Sequence, residues 1–234
     1  DDLYLRHACF KEFLDLGRYD EARVQREALT ARHPGARVTL RAKALLADRQ
    51  GDAESAVVAY RDCLAVYPDD PQALKGLGEL LYQRGEAAEA QKCYQKFLRS
   101  NPDDAFAWCR IGELQHMQGD SKGARQTYEM IIESAPKHPL AHRLLDALLA
   151  ETLSTEDRSA YWDNVMRTYP EAAEPRVCRA LLCLEAGDGA NGLSLLREAA
   201  ALAPDDPAVQ SRFGAAAYAQ CAWDEAETAL RAAI

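Results

Sequence analysis

Five histidines and seven cysteines are the side chains of this 234-residue chain best suited to bind a metal or attack an electrophile. His138 and His142 stand four apart, a spacing that can turn two imidazoles toward one zinc ion. Pro139 starts a helix between them, however, and no acidic ligand lies in register; His7, His33 and His116 lie elsewhere. The histidines therefore read as solvated or groove-lining side chains, and no metal is expected. Cys9, Cys63, Cys93, Cys109, Cys178, Cys183 and Cys221 are odd in number and include no Cys-x-x-Cys pair, which argues against a disulfide framework or a zinc ribbon. Cys178 and Cys183 are five apart and so fall on different faces of a helix. A nucleophilic thiol needs a base beside it in a shaped cleft, and no cysteine–histidine pairing is legible. Gly76-Leu77-Gly78 lacks the third glycine and the preceding strand of a dinucleotide loop. No catalytic constellation and no cofactor are expected.

Composition narrows the partners. The chain is 48% apolar and 28% charged, enough to build a core, and carries a formal net charge of −9. That balance offers no positive field to a nucleic-acid backbone. No run of 18 apolar residues exists to insert into a membrane. Free thiols in this number fit a reducing compartment, so a cytoplasmic location is expected. The Ala-, Arg- and Leu-rich composition points to a bacterial source.

The elements that must position any site follow from a strict period. Prolines stand at 34, 68, 102, 136, 170 and 204, each interval being 34 residues. Gly17, Gly51, Gly85, Gly119 and Gly187 keep the same phase, as do the small residues Ala22, Ala56, Ala90, Ala124 and Gly192. Tyr60, Tyr94 and Tyr128 recur at the same spacing, as do Leu74 with Trp108 and Gly78 with Gly112 and Gly214. The glycine ends a first helix in the left-handed conformation that a side chain penalises. The small residue lets a second helix approach the first closely. The proline closes that second helix, and Asp70-Pro71 and Asp206-Pro207 supply an N-cap followed by proline at the first turn of the next. An all-α array of helix pairs is predicted.

A 34-residue helix–turn–helix unit with these residues in these phases resembles the tetratricopeptide repeat. The segments LKGLGELLYQRGEAAEAQKCYQKFLRSNP and WCRIGELQHMQGDSKGARQTYEMIIESAP carry the likeness most fully. It covers the chain as a single solenoid, residues 1–234, in units of about 3–36, 37–70, 71–104, 105–138, 139–172, 173–206 and a truncated 207–234. Two units are degenerate. In 139–172, Leu153 and Arg158 replace the glycine and the small residue, which predicts a turn of altered shape rather than a lost repeat. In 173–206, Gly187-Asp188-Gly189 makes a loose turn and Gly192 weakens the helix after it. Cys221 replaces the glycine of the last unit. A joint between two sub-arrays is expected around 150–195.

The resemblance implies a right-handed superhelix whose inner groove, lined by the first helices, binds a protein or peptide segment. Residues in groove phase include Arg41, Lys75, Glu79, Tyr82, Arg110, Glu113, His116 and Arg143. Arg41, Lys75, Arg110 and Arg143 form a thin basic row suited to an acidic partner. The asparagines by which some members of the family clamp a carboxylate are missing: Lys11, Leu45, Glu79, Glu113 and Ala147 hold those places. The asparagine ladder of sugar-transferase-linked members is missing too, its places held by Ala8, Ala42, Gly76, Arg110, Leu144, Cys178 and Arg212. Tyr218, Trp223, Leu230 and Ile234 make an apolar tail expected to pack on further repeats, a downstream domain or a second copy. The expected function is that of a non-catalytic interaction scaffold. The alternative is the recognition arm of a larger glycosyltransferase- or sulfotransferase-type enzyme, or of a secretion or envelope-assembly complex.

Overall fold

The computed structural model describes residues 2–234, and every regular element among them is a helix. In chain order these are α1 (Asp2–Asp15), α2 (Tyr19–Arg32), α3 (Arg37–Arg49), α4 (Ala53–Val66), α5 (Pro71–Gln83), α6 (Ala87–Ser100), α7 (Ala105–Met117), α8 (Ser121–Ser134), α9 (Pro139–Ala150), α10 (Thr155–Thr168), α11 (Glu174–Glu185), α12 (Gly189–Leu202), α13 (Pro207–Ala219) and α14 (Trp223–Ala232). Odd-numbered helices are the first, and even-numbered the second, of each repeat. No described helix is long and apolar enough to cross a membrane.

The boundaries follow the sequence phases. Gly17, Gly51, Gly85, Gly119 and Gly187 all have positive φ, between 70° and 85°, in the tight turns between first and second helices. The second helices α2, α4, α6, α8, α10 and α12 each stop before their phased proline. Aspartates cap three of the first helices, α5, α7 and α13: Ala73 N donates to Asp70 Oδ1, Ala107 N to Asp104 Oδ1 and Val209 N to Asp206 Oδ1.

Contacts divide the chain into two compact units, Asp1–Gln118 and Gly119–Ile234. The division falls at Gln118/Gly119 rather than in the 150–195 stretch where a joint is expected. In the first unit, α3–α7 share a core around Tyr60, Leu77, Leu81, Tyr94 and Leu114, and α1–α3 pack around Phe10, Leu14 and Leu46. In the second, α11–α14 close over Val177, Leu196, Val209 and Ala217. The phased tyrosines Tyr60, Tyr94 and Tyr128 are buried, and Trp162, one period further, is fully buried in the same phase.

The degenerate repeat 139–172 keeps both helices, as its residues predict, and Ser154 caps α10 by accepting from Asp157 N. With Arg158 in the small-residue place, α9 and α10 touch far less than α5 and α6 do. Polar bridges fill the gap: Arg158 Nη2 donates to Asp146 Oδ2 at 2.7 Å, and Trp162 Nε1 donates to Asp146 Oδ1 at 2.7 Å. Gly192 leaves α12 intact, and a Cβ there would come within 2.7 Å of the Leu184 side chain. That glycine is a close approach rather than a weakness.

A second period emerges only in three dimensions. Trp108 Nε1 donates to Pro102 O at 2.8 Å, and His142, 34 residues on, places Nε2 2.8 Å from Pro136 O. Arg176 and Gln210 continue the phase, bonding Ala172 O at 2.9 Å and Ala203 O at 3.3 Å. Side-chain donors thus satisfy backbone carbonyls left exposed after each second helix ends.

Candidate functional site

The groove-phase residues of the first unit come from α3, α5 and α7. Arg41 lies almost buried, and its Nη1 donates to Asp70 Oδ2 at 3.2 Å. The other oxygen of Asp70 caps α5. One period on, Lys75 Nζ donates to Asp104 Oδ2 at 2.8 Å, and Asp104 caps α7 in the same way. Two members of the basic row are therefore fastened to the first turn of the next first helix, where a carboxylate already faces the positive end of the helix dipole.

Arg110 sits in a closed polar cluster. Its Nε and Nη2 donate to both oxygens of Glu79, at 3.1 and 3.0 Å, while Nη1 donates to Glu113 Oε2 at 2.8 Å. Tyr94 Oη donates to Glu79 at 2.9 Å and Tyr82 Oη to Glu113 at 3.1 Å. The guanidinium also lies 4.3 Å from the Tyr82 ring centre and 4.8 Å from that of Phe106. Burial alone would lower its pKa, but the bonds to Glu113 and Glu79 hold it above the ordinary arginine range. Burial, followed by Glu79, pushes the Tyr94 phenol well up. One cation thus binds two carboxylates, and Asp48 adds a half-buried acid on the same side whose pKa burial raises despite Arg49. This part of the row is acidic on balance.

Seven of the eight residues in groove phase lie in the first unit, and Glu79, Tyr82, Arg110 and Glu113 meet directly. His116 is half-buried on the last turn of α7. Arg143 lies on α9 in the second unit, with Nε 3.7 Å from Glu174 Oε1. Glu174 also takes Arg212 Nη1 at 3.7 Å. The sequence reading passes over Phe106, Glu174 and Tyr94. Phe106 and Glu174 occupy the second place of their repeats, a groove phase, so the period alone could have found them. Tyr94 enters from a second helix and carries no such signal.

The histidine reading needs correction at one position. His142 is fully buried, tilted against Trp162 with ring centres 5.7 Å apart, and its Nδ1 has no partner. It is a core residue because its repeat phase puts a donor beneath the preceding turn. All seven cysteines are free, and Cys221 is the exposed one. Burial, then neighbouring glutamates, pushes Cys93 up to about 11 and Cys109 up to about 12, the opposite of what a nucleophile requires. Among the described residues, no group of three His, Cys, Asp or Glu side chains converges to hold a metal ion. At the other end of the chain, Tyr218 and Trp223 form an edge-to-face pair 5.1 Å apart, both more than half exposed.

A cavity of about 670 Å³ lies in the second unit between the turns 135–138 and 168–172, walled by Pro136, Tyr169 and Pro170. Its lining is mostly apolar, with Lys137 and Glu171 paired at 3.7 Å on its wall.

Two family models of the tetratricopeptide repeat match the sequence, over residues 49–108 and 84–139. No curated protein matches it. Among solved structures, a tetratricopeptide repeat protein from Parabacteroides merdae is 18% identical with a TM-score of 0.61, over 99% of this chain and 92% of that one. PilF of Pseudomonas aeruginosa is 16% identical with a TM-score of 0.65, over 89% and 95%. YrrB, described as a repeat protein of this kind with an unusual peptide-binding site, is 16% identical with a TM-score of 0.52, over 77% and 93%. At such identities the likeness speaks to fold.

Proposed function

We propose that this chain, which carries tetratricopeptide repeats, is a non-catalytic scaffold that holds a segment of another protein on the face built by its first helices. The carrying observation is the cluster around Arg110, where two carboxylates and two phenols fix one guanidinium beneath Phe106, itself 37% exposed. Side chains already locked lose little freedom when a ligand arrives, so such a face binds more tightly than a mobile one of equal area. An open aromatic ring next to anchored polar groups suits the apolar and backbone groups of an extended segment. The peptide-binding site ascribed to YrrB supports the same use of the fold. The raised thiols of Cys93 and Cys109 favour binding over covalent catalysis. Seven free cysteines favour a cytoplasmic setting.

In the first unit, an acidic segment would have to displace internal ion pairs at Arg41, Lys75 and Arg110. Apolar and hydrogen-bonding contacts therefore carry the affinity there. The test is selection of a displayed random-peptide library on the intact chain, followed by affinity measurement on synthetic winners. Peptides that bind the wild type and lose about tenfold or more on Phe106→Ala, with unchanged circular dichroism, support the reading. A library that enriches nothing, or winners indifferent to Phe106→Ala, would overturn it.

A further inference from the structure

Away from the face built by the first helices, the second helix α6 carries three cations that the fold leaves unspent. Lys92, Lys96 and Arg99 are exposed, and none of them makes an ion pair or a hydrogen bond with another described residue. Cations on other second helices are paired: Arg61 with Glu89, Arg125 with Glu129 and Arg197 with Glu225. The three share one side of α6, because spacings of four and three residues return side chains to the same helical face. They border a cavity of about 340 Å³ within the first unit, floored by Leu64 of α4, Leu74 and Leu77 of α5 and Cys93 of α6. Glu89 is the one carboxylate in that lining, and Arg61 already holds it at 2.9 Å.

The formal net charge of the chain is −9, so three unpaired positive charges on one helix face reverse the sign of the field locally. That reversal selects an acidic partner, and the apolar floor gains from being covered by one. Spacing decides the partner's shape. At 1.5 Å of rise per residue, the three cations stand about 6 and 4.5 Å apart along α6. A partner helix lying alongside, with acids at i, i+4 and i+7, repeats both intervals. An extended segment sets same-side residues about 6.7 Å apart and falls out of step across the row. Separated single charges over an apolar floor also suit spaced carboxylates better than one compact polyanion.

We propose that the groove between α4 and α6 docks an acidic amphipathic helix of a partner protein. Carboxylates at i, i+4 and i+7 of that helix meet Lys92, Lys96 and Arg99, and its adjoining apolar stripe covers Leu64 and Cys93. The Arg110 cluster and Phe106 stand on first helices, whereas this row stands on a second helix. It is therefore a separate attachment surface, and it stands or falls independently of the binding face around Phe106.

The probe is a fluorescein-labelled synthetic helix, stapled on its far side, with glutamates at i, i+4 and i+7 beside a row of leucines. Binding is read by anisotropy on the intact chain. The peptide should bind, weaken as salt rises, and lose about tenfold or more on Lys92→Glu/Lys96→Glu with helix content unchanged. A scrambled helix of the same composition, its glutamates spread all round, should bind about tenfold more weakly, and Phe106→Ala should change nothing. No binding, equal binding of the scrambled helix or of one with glutamine for glutamate, or indifference to the double substitution overturns the proposal. Equal binding of an unstapled, proline-interrupted version overturns it in favour of an extended segment. Sedimentation showing that the chain associates with itself through this row, and that the double variant does not, overturns it in favour of a second copy. Loss of binding on Phe106→Ala places the peptide on the first-helix face and refutes this site. Should the double variant lose helix content, Arg99→Glu in the exposed last turn of α6 decides the matter on the same scale.

Discussion

Cys221 is where one residue departs most sharply from what its backbone wants. It holds a φ of 59° in the turn where five other repeats place glycine. A side chain in that left-handed region costs about 1 kcal/mol or more, which glycine avoids. Cys221→Gly should therefore raise stability by about 0.5–1 kcal/mol, offset in part by the greater freedom of glycine in the unfolded chain. Urea denaturation read by circular dichroism checks this, and an unchanged or lower midpoint would show that the turn is not strained. The substitution is readable from the sequence because the 34-residue period names both the expected glycine and the residue that replaced it. His142 was not readable in the same way. Its spacing from His138 suggests surface chemistry, and only its packing against Trp162 and its bond to Pro136 O mark it as core. A lone sequence spacing states how far apart two side chains are along a helix, not which face is buried.

Among the elements, the junction between one repeat and the next holds the energetic surprise. Arg41 and Lys75 occupy equivalent places and both grip the capping aspartate of the following first helix, yet their surroundings differ. Asp70 is 1% and Arg41 10% exposed, against 23% for Asp104 and 40% for Lys75. Arg41→Gln leaves a buried carboxylate with its strongest partner gone and should cost about 3 kcal/mol. Lys75→Gln breaks a wetter pair and should cost about 0.5–1 kcal/mol. Chemical denaturation of the two variants checks the ratio; equal losses would mean that burial does not govern these bridges. The basic row was legible as a pattern, but its use was not. Sequence shows that Arg41, Lys75 and Arg110 share a face, whereas the aspartates that neutralise two of them stand at the far end of the same repeat, where they cap the next first helix. A reversal of Lys75 and Arg110 to glutamate would thus disturb a helix cap and the Glu79–Glu113 cluster together. Phe106→Ala is the cleaner probe of the binding face.

For the molecule as a whole, the architecture was legible almost residue by residue, since prolines, glycines and capping aspartates recur in one phase and each has a local mechanical reason. Tertiary bridges are less legible, because Tyr94 with Glu79 or Trp162 with Asp146 depend on which helices meet and how closely. An array of this kind draws its stability from contacts within a repeat and with its neighbours, so a defect should be felt near its own place first. Leu81 is fully buried in the core shared by α3–α7. Leu81→Ala removes that side chain and should cost about 3 kcal/mol through lost burial and the cavity left behind. Hydrogen exchange followed by mass spectrometry should then show protection falling across α3–α7, whereas α11–α14, which close over their own core, keep theirs. Uniform loss of protection along all the helices would instead require one cooperative unit, and the nearest-neighbour account would be wrong. The same measurement bears on function. If the two units open independently, a segment bound at Phe106 will protect α5–α7 without slowing exchange in α11–α14.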